Sequence, residues 1–287
     1  MKINSEAAKS NKIAKRRKGT IKAKSEFFRS ARYGLTLQEH RIVYYAILAG
    51  QQTGKPFEPV TLSVKEFIEL FGVRGGNYYH EIRRISSTIT KKIVEVFYQD
   101  DNGMHYMAAP WLIAVKYHAK TGTVDITPNP ELKPFFEGKP FSSTEYYYLL
   151  KFTSQYAERL YELLKSMPYH KKTVVDFDLE DLATKLAVPP SYRKDYKDLR
   201  VRVLEPAVSD INEYTDLDVG IRVKRGLHNK VDTVFFSVTK KNVPKLADRV
   251  ESGEFTPPLS EEEQIIAMRE HIGIELAGQL ALDVGDN

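Results

Sequence analysis

The chain has 287 residues, 42% hydrophobic and 28% charged, with a formal net charge of +5 and no cysteine. That length suits two domains with cores of their own and the composition is that of a globular protein, while the missing cysteines exclude disulfides, cysteine-ligated zinc and thiol catalysis. No apolar run approaches the roughly 20 residues of a membrane span, and the basic start lacks the apolar stretch of a secretory signal, so a cytoplasmic location is expected.

Charge is spread unevenly. Residues 1–24 hold nine Lys/Arg against one Glu, and residues 248–287 hold ten Asp/Glu against two Arg. The first stretch, with Lys15-Arg16-Arg17-Lys18, reads as a disordered arm able to follow a phosphate backbone. A first domain is expected over 25–138. Its first helix runs from Thr36 to Ala49, with Leu35, Ile42, Val43, Ala46 and Ile47 facing the core. Gly50 to Pro59 reads as a loop, and its Gly50-Gln-Gln-Thr-Gly54-Lys55 imitates a phosphate-binding loop. It is one residue short and has Pro56 where a magnesium-holding Ser or Thr belongs, so the motif fails.

A short helix over 64–71 follows, with Ser63 and Glu66 forming a capping box and Gly72 ending it. A basic helix from Asn77 to Lys92 comes next, buried along Ile82, Ile85, Ile89 and Ile93, with Asn77, Tyr78, His80, Arg83 and Arg84 as its DNA-facing candidates. Strands are then predicted over Val94–Gln99, Met104–Pro110, Leu112–His118 and Val124–Thr127, as one meander whose first turn is Asp100-Asp101-Asn102-Gly103. Trp111 reads as core, and the isolated His105 and His118 hold no metal. The four prolines of Pro128 to Pro140 mark the joint between domains.

The second domain is expected over 139–243 and opens with a long helix, Ser143 to Lys165. Leu179 to Leu186 is a short amphipathic helix that Asp178 can cap, and Pro189-Pro190 break the chain after it. A longer helix follows, basic at Arg193, Lys194, Lys197, Arg200 and Arg202, apolar along Tyr196, Leu199, Val203, Ala207 and Ile211, and kinked or split at Pro206. Strands Val219–Lys224 and Val231–Thr239 then form a hairpin with a basic edge of Lys224, Arg225 and Lys230. A short helix, a turn, a basic helix and a hairpin make a winged helix. Leu62 to Val73 aligns without gaps on Phe177 to Val188, an offset of 115 residues, so the fold class is α+β with two tandem winged-helix domains. Residues 244–287 form a linker and an acidic tail, with a capping box at Ser260 to Glu263 and an apolar stripe through Ile265, Met268, Ile272, Leu276 and Leu280 that docks on the body or on another protein.

Catalysis finds no support. No two of the seven histidines lie within ten residues of each other, so the His-x-His of metal-dependent DNA-nicking initiators is absent. Protease, hydrolase and dinucleotide signatures are absent too, and the carboxylates around Asp178 sit where capping explains them. The reading is therefore a DNA-binding protein with no catalytic residues, metal or cofactor.

Three runs carry a family resemblance: Arg159-Leu-Tyr-Glu-Leu-Leu-Lys165, Phe177 to Val188, and Tyr196 to Asn212, with Leu35 to Tyr44 as a looser fourth. Together they resemble the plasmid replication initiators of the RepA/RepE type, over roughly residues 27–240. That resemblance implies binding to repeated double-stranded sites, called iterons, at a plasmid origin, through helices at 77–92 and 191–205. It also implies homodimers formed through the first domain, autorepression by dimers in some members, and host replication proteins as partners. Two readings compete with it: a dimeric winged-helix repressor, and a nicking enzyme with an unrecognised site.

Overall fold

In a computed structural model, the described residues are 19–71, 78–138, 141–167 and 172–241. The first eighteen residues of the basic arm, Gly72, Asn77 and the whole acidic tail with its apolar stripe lie outside them.

The chain enters the fold earlier than Ser25. Thr20–Lys24 (β1) pairs antiparallel with Phe141–Glu145 (β7 in chain order), in register from Thr20↔Glu145 to Lys24↔Phe141. Alternation explains the change: Ile21 and Ala23 are buried while Lys22 points outward. The helix Ser25–Ser30 (α1) then buries Phe27 and Phe28. Leu37–Thr53 (α2) starts at a capping box, with the Glu39 N–H on Thr36 Oγ1 at 3.3 Å and the Thr36 N–H on Glu39 Oε2 at 2.9 Å. It outruns the predicted end at Ala49, so Gly50 is helical and Gly54 is its left-handed cap at φ 71°. Such a cap favours glycine, which accounts for Gly54 without a phosphate.

Val60–Ser63 (β2) runs into Val64–Phe71 (α3), where the predicted Ser63–Glu66 box forms in both directions, at 3.2 and 2.7 Å. Tyr78–Ile89 (α4) buries Ile82, Ile85 and Ile89. Ile93, expected on the same stripe, is 47% exposed, because the helix ends at Ile89 and Ile93 starts a strand. The expected meander divides into two sheets. Ile93–Asp100 (β3) pairs with Gly103–Pro110 (β4) as a two-stranded hairpin, with one further bridge from Glu95 to Arg32, whereas Leu112–His118 (β5) and Thr123–Pro128 (β6) join β2 in the order β2-β6-β5. Trp111 stands at the division, fully buried against the rings of Phe27, Tyr33, Tyr44 and Phe136. Within the proline-rich stretch Pro130–Phe135 is a 3-10 turn, and Leu132, Phe135 and Phe136 drop into the core.

The predicted helix over Ser143 to Lys165 is a strand and two helices: β7 as given above, Tyr146–Lys151 (α5) and Gln155–Lys165 (α6). It breaks because the Thr153 and Ser154 N–H groups turn outward to the Asp210 carboxylate, at 2.7 and 2.8 Å. Lys172–Asp178 (β8) leads into Leu179–Lys185 (α7), capped by Asp178 Oδ1 from the N–H groups of Glu180 and Asp181. Pro190–Arg193 (α8), Tyr196–Leu199 (α9), a π-helical turn Arg200–Leu204 and Glu205–Tyr214 (α10) follow. The helix is not cut at Pro206. The π turn, closed by the Glu205 N–H on Arg200 O, precedes it, and Pro206 falls in the first turn of α10, where a missing N–H costs least. Leu217–Arg225 (β9) and Val231–Lys240 (β10) close the sheet in the order β8-β10-β9.

The second core is mostly apolar, with Leu182, Leu199, Val203, Ala207, Ile211, Val234, Phe236 and Val238 at most 2% exposed, and its buried carboxylates, Asp210 and Asp216, lie where it meets the helix Gln155–Lys165. Each large side chain contributes about 1.5–3 kcal/mol by leaving water. The first core, by contrast, encloses charge. His40 Nδ1 lies 2.6 Å from Glu158 Oε2, its Nε2 lies 3.2 Å from Glu162 Oε1, and the Tyr33 hydroxyl donates to Glu162. Burial alone would lower the His40 pKa, but the two carboxylates outweigh it and push it up to about 10. His40 is therefore an imidazolium at neutral pH.

Candidate nucleic-acid interface

The first winged helix presents α4 with its isoleucines inward and Tyr79, His80, Arg83 and Arg84 exposed. Of the other predicted residues on this helix, Tyr78 is described only as the first residue of α4. Arg84 is held by Glu81 one turn back, at 2.9 Å. Among the described residues Arg83 has no ion-pair partner. The hairpin β5–β6 stands beside the helix: Tyr79 meets Tyr117 of β5 with ring centroids 5.5 Å apart. Lys116, Tyr117 and Lys120 on that hairpin are exposed. The predicted set lacked Tyr79 and these wing residues, though Tyr79 lies four residues before Arg83 and thus on its face.

The second winged helix differs. Arg193, predicted to face DNA, is turned back onto α7. Its guanidinium donates to Val188 O (2.7 Å), Ala183 O (3.2 Å), Thr184 Oγ1 (3.0 Å) and Glu180 Oε1 (2.7 Å), so it ties α8 to the end of α7. Lys194, Lys197, Arg200 and Arg202 are exposed. Arg200 Nε is 3.4 Å from Glu205, and Arg202 Nε is 3.3 Å from Asp198 with its guanidinium over the Tyr192 ring at 5.2 Å. Such exposed pairs contribute little and are readily exchanged for phosphate.

The wing of this domain carries Lys224, Arg225 and Lys230, all exposed. Its tip is stiffened by the Gly226 N–H on Lys230 O and by Arg225 Nη1 on Asn229 O, both 2.8 Å, and it lifts Leu227 87% into solvent. His228 and Asn229 adopt left-handed backbone there, at φ 55° and 59°. Wing and helix converge at Tyr196. Burial raises its hydroxyl pKa, while Arg200 on the helix and Arg225 on the wing are both near enough to oppose that.

His105 is paired with Asp100 and His118 with Asp125, each at 2.7 Å. Among the described residues no group of three or more metal-ligating side chains gathers, and no described helix is long and apolar enough to cross a membrane.

Residues 20–165 match the family described as Initiator Replication protein, WH1, and residues 178–238 match Initiator Rep protein, WH2. The chain belongs to the initiator replication protein family. It is a DNA-binding replication initiator, with α4 and β5–β6 in WH1, and α7 to α10 with β9–β10 in WH2. The WH1 match runs past the proline-rich stretch and takes in α5 and α6. The fold is shared with the Pi initiator protein, solved in complex with iteron DNA: TM-score 0.57 at 15% identity, covering 79% of this initiator and 99% of that chain. The WH1 domain of a replication protein isolated from a multiple sclerosis patient also matches, at TM-score 0.30 and 18% identity, over 47% of this chain and 88% of that one. A search of curated protein sequences returns no match.

Proposed function

We propose that this initiator binds iterons at a plasmid origin with WH1 and WH2 together, and so helps host replication proteins open the duplex. One observation carries the reading: each winged helix sets an exposed basic helix beside a wing, in a chain sharing its fold with an initiator solved on iteron DNA. Two such heads on one duplex sit about one helical turn apart. Arg83, Arg84, Lys194, Lys197, Arg200 and Arg202 are the contacts from the helices, with Lys224, Arg225 and Lys230 from the WH2 wing. Arg193 acts behind them as a brace. The protein acts in the cytoplasm by binding and not by catalysis.

Homodimers form through WH1. The outer face of the β3–β4 hairpin exposes Ile93, Phe97, Met104 and Tyr106, at 47%, 37%, 72% and 56%. The Phe97 and Tyr106 rings are 5.0 Å apart and Tyr106 donates to Glu95 on the same face, so a second copy would cover exposed apolar side chains interrupted by one carboxylate. In that state the protein represses its own gene.

Footprinting on the plasmid's own origin region, at near-physiological salt, tests the reading. Protection of regularly spaced direct repeats is the expected result. Protection of a single palindrome over the promoter would instead identify a repressor, and strand breaks without added nuclease would identify a nicking enzyme.

A further inference from the structure

Helix α6 is bonded to both heads, and one of its residues reaches both at once. Arg159 is 3% exposed. Its Nη2 donates to the carbonyls of Phe28 (2.8 Å) and Ala31 (2.6 Å), at the end of α1 in WH1. Its Nε donates to the carbonyl of Lys185 (3.2 Å), the last residue of α7 in WH2. The guanidinium lies over the Tyr33 ring at 4.6 Å, and its Nη1 is 3.7 Å from Glu162. Glu162 and Glu158, on the same helix, hold His40 of α2, so this face of α6 is fixed to WH1. Other positions on the helix are fixed to WH2. Asp210 caps its start, and Asp216 takes the Tyr161 hydroxyl at 2.8 Å and the Lys165 ammonium.

Beside Arg159 the heads approach closely at one point, where a Cβ on Gly34 would stand 2.9 Å from that of Ala187. A cavity of about 250 Å³ lies next to the same arginine, between Tyr33, Gly34 and Thr36 of WH1 and Leu186 and Ala187 of WH2. The polar clamp and this close approach set the relation between the heads here. Lys185 ends the helix whose next turns, braced by Arg193, lead into the WH2 recognition segment. A planar fork reaching three carbonyls is something arginine supplies and lysine does not.

We propose that Arg159 is a positioning residue that fixes the register between the WH1 and WH2 heads, so that the initiator accepts only one spacing between the two halves of its site. This rests on the two-headed reading above. The test measures binding of full-length protein to the repeat defined by footprinting, to the same repeat with one to five base pairs inserted at its centre, and to each half in a separate duplex. Each inserted pair turns the second half by about a tenth of a helical turn, so five pairs place it on the opposite side of the duplex.

Wild type should lose about a hundredfold across the insertions, as one head is left unengaged. Arg159→Lys should bind the native repeat about tenfold more weakly, give a flatter spacing profile and bind both half-sites like wild type, since a looser joint lowers only the effective concentration of the second head. A spacing profile as steep as that of wild type, at whatever affinity, would overturn the inference, as would an equal loss on the WH2 half-site. Arg159→Met gives the same comparison with the charge removed, and Arg159→Lys decides alone if that variant does not fold. A flat profile for wild type itself would remove the two-headed reading, and this inference with it.

Discussion

WH1 and WH2 solve the same task with different means. The exposed basic helix of WH1 is one regular helix, Tyr78–Ile89, with Arg83 unpaired among the described residues and an aromatic contact, Tyr79 to Tyr117, joining it to the β5–β6 hairpin. In WH2 the equivalent segment is assembled from α8, α9, a π turn and α10, and its arginines are already engaged with Glu180, Glu205 and Asp198. An unpaired cation gains from any phosphate. A paired one must exchange its partner, so only a well-placed acceptor repays the exchange. We infer that Arg83 acts as an electrostatic anchor and Arg200 as a more demanding reader, beside the exposed Lys194 and Lys197 of the same WH2 segment. The cores differ in kind: WH1 encloses a fully buried His40 between Glu158 and Glu162, while the buried Asp210 and Asp216 of WH2 sit at its border with α6.

The core difference gives the largest expected effect. His40→Ala leaves the buried Glu158 without its ion-pair partner and Glu162 with Arg159 alone, and should destabilise the protein by about 3–5 kcal/mol, read by chemical denaturation. The pH dependence follows from the sign of the shift. His40 has a folded pKa of about 10, against the 6.5 of an unperturbed histidine. Its stabilisation is therefore complete below pH 6.5 and is lost as pH rises through 10. Melting temperature should decline over that window in wild type and decline less in His40→Gln. Parallel declines in the two proteins would place the titrating group elsewhere.

Much of WH2 was legible in the sequence because its signals are local. Asp178, Pro189-Pro190 and the paired β-rich runs each act within a few residues of where they stand. What was not legible depends on distant partners. The break between α5 and α6 is fixed by Asp210, some sixty residues on, and its one local sign in Ser143 to Lys165 is the Ser154 N-cap. β8 was legible in principle, since Thr173-Val-Val-Asp-Phe177 is rich in strand formers, but the helix after it drew the reading. For the site, helical spacing separated the buried isoleucines from the exposed cations of α4. Spacing shows that a residue is charged and which way it faces, and not what it is bonded to, so it placed Arg193 on DNA when its donors are bound to α7.

The comparison of heads is tested next by paired substitutions. Arg200→Ala should cost about 1–3 kcal/mol on the cognate repeat and much less on random DNA if it reads a base. Arg83→Ala should weaken both nearly alike and lower the salt slope by about 1, as expected of an anchor. The reverse assignment would exchange the roles given to the two arginines. Arg193→Ala should cost about 1–2 kcal/mol of stability through its lost bonds to α7, and should leave the salt slope unchanged. A slope reduced by about 1 would instead make Arg193 a phosphate contact.

The smallest effect is the most direct test of why WH2 discriminates. Glu205 holds Arg200 at 3.4 Å, with both side chains about half exposed, so the pair contributes little to folding. Its consequence falls on binding, because any DNA that takes Arg200 must first replace Glu205. In Glu205→Gln the guanidinium is released. Affinity should then rise by about 0.5 kcal/mol on random DNA and by less on the cognate repeat, where the exchange is already repaid, narrowing the ratio between them. Equal gains on both would show that Glu205 acts only as a local negative charge, and the selectivity of WH2 would have to reside in its wing.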